Sequence, residues 1–251
     1  MGQPVCVTAA TIALTLAAVT AHADDWDFVV APYLVAPAIT GDASVGRLEG
    51  IDVDVDAADI IDALELGGMI RLEAHHRSGF GANLDYSFMI LEERGPLPAD
   101  LGDVRAEIFQ GTFEAHGSYR IDTGRAIVDL YAGLRWFDID LDATATTPFG
   151  ELTAERGDSW VDPLLGARAI TPIANRWRFL ASGDIGGFSI GSDLSWRVQG
   201  GVVWDAGDWF SLAVNYMALG VDRESGTPGT PDRFIYDTIT HGPFIGFVFR
   251  L

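Results

Sequence analysis

Long stretches of this chain alternate strictly between apolar and polar side chains, and that constrains its fold more than any other feature. From 126 to 136 the even positions read Ala126, Val128, Leu130, Ala132, Leu134 and Trp136, while the odd positions include Asp129, Tyr131, Gly133 and Arg135. Successive side chains of a strand point to opposite faces, so one face here meets an apolar medium and the other a polar one. From 80 to 90, Phe80, Ala82, Leu84, Tyr86, Phe88 and Ile90 alternate with Gly81, Asn83, Asp85, Ser87 and Met89. Phe109, Gly111, Phe113, Ala115 and Tyr119 alternate with Gln110, Thr112, Glu114, His116 and Arg120, and Trp177, Phe179 and Ala181 with Arg178, Ser182 and Asp184. Such strands are longer than the usual mode of about five or six residues.

About ten segments of this kind are expected: Phe28 to Pro37, Leu66 to Arg77, Phe80 to Leu91, Val104 to Arg120, Arg125 to Asp138, Trp160 to Thr171, Arg176 to Phe188, Leu194 to Asp205, Trp209 to Val221 and Phe234 to Leu251. Their connections alternate in length. Short turns fall at Ser78-Gly79, Asp122-Thr123-Gly124, Ala174-Asn175 and Ala206-Gly207-Asp208. Longer links fall at Thr40 to Glu65, Glu92 to Asp103, Ile139 to Ser159 and Asp222 to Arg233, and only the link around Gly191 is short on that side. Outer-membrane barrels have an even number of antiparallel strands, short periplasmic turns and long external loops. The expected fold class is therefore all-β, a transmembrane antiparallel up-and-down barrel of about ten strands, with eight or twelve as alternatives.

Aromatic residues on the apolar parity support this. Phe28, Phe80, Tyr119, Trp177, Trp204 and Phe210 lie toward the short turns and Phe88 and Trp136 toward the long links, as interfacial girdles would. Ile245, Phe247, Phe249 and Leu251 alternate to the end, the pattern of a terminal strand read by the barrel-assembly machinery. Residues 1–23 hold no charged side chain, an apolar stretch from Ile12 to Val19, and Ala21-His22-Ala23 before Asp24, so a signal peptide is expected there and the barrel domain over 24–251. The bland alternative is a soluble barrel or sandwich with the apolar face inward, against which strand length, leader and turn asymmetry all weigh.

Charge excludes other classes. All 16 basic residues are Arg, none forms a run, and the net charge is -20, so nucleic acid is not an expected partner. The single Cys, Cys6, lies in the expected leader and leaves no thiol chemistry.

Several segments together resemble a widespread group of proteobacterial outer-membrane barrel proteins: Val30-Ala31-Pro32-Tyr33-Leu34-Val35-Ala36-Pro37, the stretch from Trp160 to Arg168, Gly183-Asp184-Ile185-Gly186-Gly187-Phe188, Gly191-Ser192-Asp193-Leu194-Ser195-Trp196, and Gly242-Pro243 in the closing strand. The resemblance implies fold and location, and no activity.

No constellation declares chemistry. His75 and His116 share the polar parity with Glu73 and Glu114, an arrangement suited to acid-base work, but both lie close to short turns. His76 falls on the opposite parity. His241, with Asp237, lies toward the long links with no nucleophile beside it. Asp52, Asp54, Asp56, Asp59 and Asp62 invite a calcium reading, but Ala57 and Ala63 stand where an EF-hand loop needs Gly and Glu; the expectation is a solvated loop with a short helical turn at Ala58 to Leu64. Catalytic, cofactor and metal residues are thus expected to be none.

The inward parity collects Arg71, Arg120, Arg135, Arg168, Arg178 and Arg197 with Glu73, Asp85, Glu114, Asp129, Asp162 and Asp184. In a narrow barrel these charges should pair, because leaving either sign desolvated and alone is costly. The expected function is a barrel with a largely plugged, charged lumen and a structural or surface-interaction role through its external loops. A narrow channel for small solutes is the alternative, and a rim-located hydrolase a third reading. Expected partners are outer-membrane lipid and lipopolysaccharide, the latter through divalent cations shared with clustered carboxylates, and the assembly machinery.

Overall fold

The computed structural model describes residues 25–45, 48–96, 103–148, 150–227, 230 and 233–251. The expected leader, 1–23, lies outside them. In chain order the elements are β1 (Trp26–Val35), β2 (Ala38–Val45), β3 (Leu48–Val55), α1 (Ala57–Ala63), β4 (Leu64–His76), β5 (Phe80–Pro96), β6 (Asp103–Asp122), β7 (Ile127–Thr147), β8 (Gly150–Ala174), β9 (Trp177–Gly186), β10 (Leu194–Asp205), β11 (Phe210–Ser225) and β12 (Phe234–Arg250). From β4 to β12 each strand pairs antiparallel with the next, and β1 pairs with β4 on one edge and β12 on the other. Ten strands thereby close a barrel. The chain breaks at Ala36–Pro37, where Pro cannot donate to a ladder, and resumes as β2 on the same edge of β12 with β3 folded back on it.

The short turns carry the residues their geometry demands. Gly79 adopts φ 94 and donates to the His76 carbonyl at 2.9 Å. Gly124 N–H donates to Asp122 Oδ1 at 2.7 Å, an Asx turn. Above these turns the apolar parity faces outward: Leu130, Leu134, Leu165, Phe179 and Val198 all keep much of their surface exposed. Among the described residues no helix is long and apolar enough to cross a membrane.

The long links are the main correction to the sequence reading. Most of their length is strand: β7 and β8 continue to Thr147 and Gly150, β5 and β6 to Pro96 and Asp103, and β11 to Ser225. The alternation does not stop there but inverts. On β7 the outward residues change from Leu134 and Trp136 to Asp138 and Asp140, while the inward ones change from Asp129 and Arg135 to Phe137 and Ile139. Glu92 follows Ile90 outward on β5, and Asp222 follows Gly220 on β11. Lipid outside demands apolar side chains; water outside demands polar ones and sends the apolar ones inward. The inversion therefore marks the upper membrane boundary. The acidic run also falls into this scheme, since Asp54 belongs to β3, with Val53 and Val55 packed on the apolar side, and Asp56 caps α1.

Two apolar clusters fill the upper interior. Phe137, Trp160 and Val221 bury each other, with Ile139, Leu219, Phe234 and Tyr236 against them, so β7 and β8 are joined across the lumen to β11 and β12. Ile60 of α1 is 2 % exposed and inserts against Ile39 and Met89. The helix starts where the Asp56 carboxylate accepts from Ala58 N and Asp59 N.

The β9–β10 hairpin is lower than its neighbours and leaves a notch in the wall, which its loop, 187–193, closes. Asp162 Oδ1 accepts from Ser192 N at 2.7 Å, Trp160 Nε1 donates to Ser192 Oγ at 2.8 Å, and Gly187 N donates to the Pro163 carbonyl at 3.1 Å. Arg223 lies over the Trp160 ring and donates to the Gly191 carbonyl. Phe188 and Ser189 hold positive φ at the apex, a conformation that persists only where surrounding contacts impose it.

Candidate functional site

Strand parity and register bring ten charged side chains together at mid-barrel. Arg135, on β7 and 0 % exposed, donates through Nε to Glu114 on β6 at 3.0 Å and through Nη2 to Asp184 on β9 at 2.7 Å. Arg197 on β10 reaches the same two carboxylates, each at 2.9 Å, so two guanidinium groups and two carboxylates form a closed square. Arg168 on β8 crosses the lumen to Glu73 on β4 at 2.5 and 2.9 Å and also holds Asp129 on β7 at 2.8 Å. Arg120 completes the pairing of Asp129 at 2.7 and 3.0 Å. Arg71 donates to Asp85 at 2.6 Å, and Tyr33 OH donates to its other oxygen at 2.7 Å. The planar fork of Arg makes this possible, because one group can hold carboxylates on different strands.

Two of the twelve inward charges belong elsewhere. Asp162 faces inward and is 0 % exposed, yet its Oδ1 takes the Ser192 N–H, and its Oδ2 has no hydrogen-bond partner. Arg178 sits nearer the short-turn end and pairs with Asp205 at 2.7 and 3.0 Å, a carboxylate also held by Arg250 and Ser211. Tyr33, Tyr131, Asp205 and Arg250 are members the sequence reading missed. Their inward parity was the available signal, and both Tyr33 and Arg250 lie inside segments expected as strands.

The histidines are drawn into the same network. His75 Nε2 lies 3.1 Å from Glu73 and 3.2 Å from Arg120 Nη2. His116 Nδ1 lies 3.1 Å from Glu114, its ring stacked on Tyr131. His76 contacts the Ser78 hydroxyl at the turn. His241 is on the outer face of β12, four residues from the outward Asp237, and its ring nitrogen lies 2.7 Å from Tyr216 OH.

On the extension, Glu65, Glu92 and Glu107 bring carboxylate oxygens within 4.8 Å of one another. Hydrogen bonds from Arg94 and Arg105 hold the Glu92 carboxyl below the usual range and occupy its oxygens. Asp222 behaves oppositely: burial, then repulsion from Asp237, Asp193 and Glu224, pushes its carboxyl up. Asp237 is directly opposite it in register, and Asp42 directly opposite Asp237.

The sequence matches no family model and no curated protein. Solved structures similar in fold include the outer membrane protease OmpT from Escherichia coli, at 7% identity and a TM-score of 0.50, covering 92% of this chain and 98% of that one. A major outer membrane protein from Thermus thermophilus aligns at 14% identity and a TM-score of 0.44, covering 90% of this chain and 99% of that one. Ail from Yersinia pestis aligns at 8% identity and a TM-score of 0.39, over 90% and 99%. These likenesses concern fold. The closed ring of ten antiparallel strands with its outward apolar band, a fold shared with OmpT, is that of an outer-membrane β-barrel.

Proposed function

We propose that this outer-membrane barrel does not conduct solutes through its lumen and acts instead through its extracellular extension, as a structural or surface-interaction protein. One observation carries the reading. Arg71, Arg120, Arg135, Arg168 and Arg197 are tied to Glu73, Asp85, Glu114, Asp129 and Asp184 at mid-barrel, and the Arg168–Glu73 pair spans strands that are not neighbours. A permeating ion would have to break charge-assisted bonds that are shielded from water, where each costs most to open. Planar-bilayer recording tests this. Heat-modifiable, folded protein should give no steady openings; reproducible single-channel steps would overturn the reading and recast the same arginines as a selectivity lining.

The lipopolysaccharide contact belongs to the same proposal. The outward, water-level face of β2, β11 and β12 bears Asp42, Asp222 and Asp237 side by side, and a chain of net charge -20 approaches lipid phosphates favourably only with cations between them. The bridge is a diffuse layer of divalent ions, not a coordination site. Assembly through the C-terminal strand is proposed on β12, whose outward Ile245, Phe247 and Phe249 face lipid.

A further inference from the structure

The barrel wall is interrupted at membrane height, on the opposite side from the pinned β9–β10 loop. β1 and β4 pair from Trp26↔His76 up to Pro32↔Ile70, and there the ladder ends. Above it, β1 continues on β12 alone to Val35, while β4 from Leu64 to Met69 is bonded only to β5. β2 takes β3 as its partner, so among the described residues no ladder rejoins the two edges; they are linked only above the gap, where Ile60 of α1 packs on Ile39 of β2 and Met89 of β5. The outward residues flanking this seam are apolar: Leu34 and Leu66 are both well exposed, and the Phe88 ring lies over Gly68. Phe88 precedes the inversion at Glu92, so the seam opens at the level of the outer leaflet.

Unpaired strand edges facing hydrocarbon are expensive, several kcal/mol for each unsatisfied backbone group, and barrels normally close to avoid them. The β9–β10 notch is sealed by Asp162, Ser192, Trp160 and Arg223. At the β1–β4 seam the described residues show apolar packing of α1 at the top and no polar lock of this kind, and below α1 the seam borders a recess. Val35, Met69, Met217, Leu219 and Phe244 wall that recess, and Phe88 of the outer face also borders it. Its floor holds three guanidinium groups, Arg71, Arg135 and Arg197, with Asp85 and Glu114 beside them. Asp184 supplies the third negative charge, so the floor is balanced. Arg135 is fully enclosed, whereas Arg71 and Arg197 keep 23 % and 14 % of their side chains open.

We propose that this recess binds an uncharged single-chain amphiphile, head inward and tail through the seam into the outer leaflet. Apolar walls accept the first carbons of the chain. A balanced floor offers no net attraction to an ionised head, and burying one there leaves it unpaired. A neutral oxygen acceptor can take a hydrogen bond from the Arg71 or Arg197 guanidinium, both of which keep some surface open, without bringing a charge that the balanced floor cannot pair. The site is separate from the question of conduction, because it is entered from the side and lies above the network.

The test uses the folded full barrel in phosphatidylcholine nanodiscs, with 1-monomyristoylglycerol, myristate and myristyltrimethylammonium as probes and native mass spectrometry as readout. One equivalent of the monoacylglycerol should be retained, with both charged probes at least about tenfold weaker. Met69→Trp, at the seam, and Met217→Trp, on the opposite wall, should each abolish retention while the heat-modifiable band shows the barrel folded. A diazirine-bearing monoacylglycerol should label peptides containing Met69 and Phe88. Failure of the neutral probe to be retained, stronger retention of either ion, unchanged retention in both variants, or labelling spread evenly around the barrel would each overturn the proposal. Conductance is unaffected by any of these outcomes, so this proposal and the non-conducting reading stand or fall separately.

Discussion

Arg135 shows how much a single buried guanidinium holds in this lumen. Its Nε and Nη2 bridge β6 to β9 through Glu114 and Asp184, and removing it leaves Arg197 as the one guanidinium on both carboxylates, beside the contacts from His116 to Glu114 and from Tyr131 OH to Asp184. Arg135→Met should therefore lower unfolding free energy by about 3–5 kcal/mol in urea titrations from lipid vesicles, the cost of an uncompensated buried charge. Arg135→Lys should recover only part of this, because an ammonium cannot present two diverging donors in one plane. On the opposite face the sign of the chemistry changes. Leu130 is 50 % exposed to lipid near mid-membrane, and Leu130→Arg should cost about 2–4 kcal/mol in the same assay. A Leu130→Arg protein as stable as the parent would mean that the lipid-facing parity is assigned to the wrong side. At this scale the sequence was legible as to face and illegible as to partner. Period two says that Arg168 points inward, but its meeting with Glu73, 95 residues away, depends on the register of several intervening ladders. Asp162 carries the same inward signal and bonds a loop instead, for which no local pattern gives notice.

Among the elements, the ten barrel strands were found, but their upper ends, together with β2 and β3, were read mainly as links. Leu194 to Asp205 was bounded correctly because Gly and Asp punctuate both ends, whereas Ile139 to Ser159 was read as a link although β7 and β8 run through most of it. The reason is physical: a rule that equates apolar parity with the outside fails where lipid gives way to water, and Asp138-Ile139-Asp140-Leu141 still alternates, only with its faces exchanged. The motifs behind the family resemblance acquire a structural meaning here. The segments around Trp160 and Ser192 meet in the lock on the β9–β10 loop, and Pro32 to Pro37 borders the open seam, with Ala36 N bonded to the Pro243 carbonyl. Asp162→Ala removes the acceptor that fixes Ser192 N and should expose the 187–193 segment to nicking by added proteinase K while the barrel stays heat-modifiable. The lost buried bond is worth about 1–3 kcal/mol. If the loop resisted cleavage as the parent does, Trp160 and Arg223 would suffice to hold it and the role given to Asp162 would be wrong.

For the molecule as a whole, the decisive quantity is a charge of -20 carried by a barrel whose mid-lumen charges balance, so the excess lies at its surfaces and ends. Part of it is concentrated on the outer face of the extension, where Asp222, Asp237 and Asp42 are neighbours across three strands. Burial, followed by repulsion from Asp237, Asp193 and Glu224, raises the Asp222 carboxyl above its value in an unfolded chain. A raised acid is one whose ionised form opposes folding. That opposition is fully present above the folded pKa and is relieved as pH falls through it, the reverse of the usual salt-bridged carboxylate. Divalent cations relieve the same repulsion without protonation. In lipopolysaccharide-containing vesicles with EDTA, the unfolding temperature relative to that of Asp222→Asn should therefore hold steady from about pH 8 downward and rise only as pH falls into the carboxylate range near about 4. Adding Mg2+ at pH 8 should raise it as well, flatten that pH dependence, and do less in vesicles of phosphatidylcholine alone, which offer no excess anionic phosphate to bridge. An equal effect of Mg2+ in both lipids would show that the ion merely screens the protein, and the proposed contact with lipopolysaccharide would have to be abandoned.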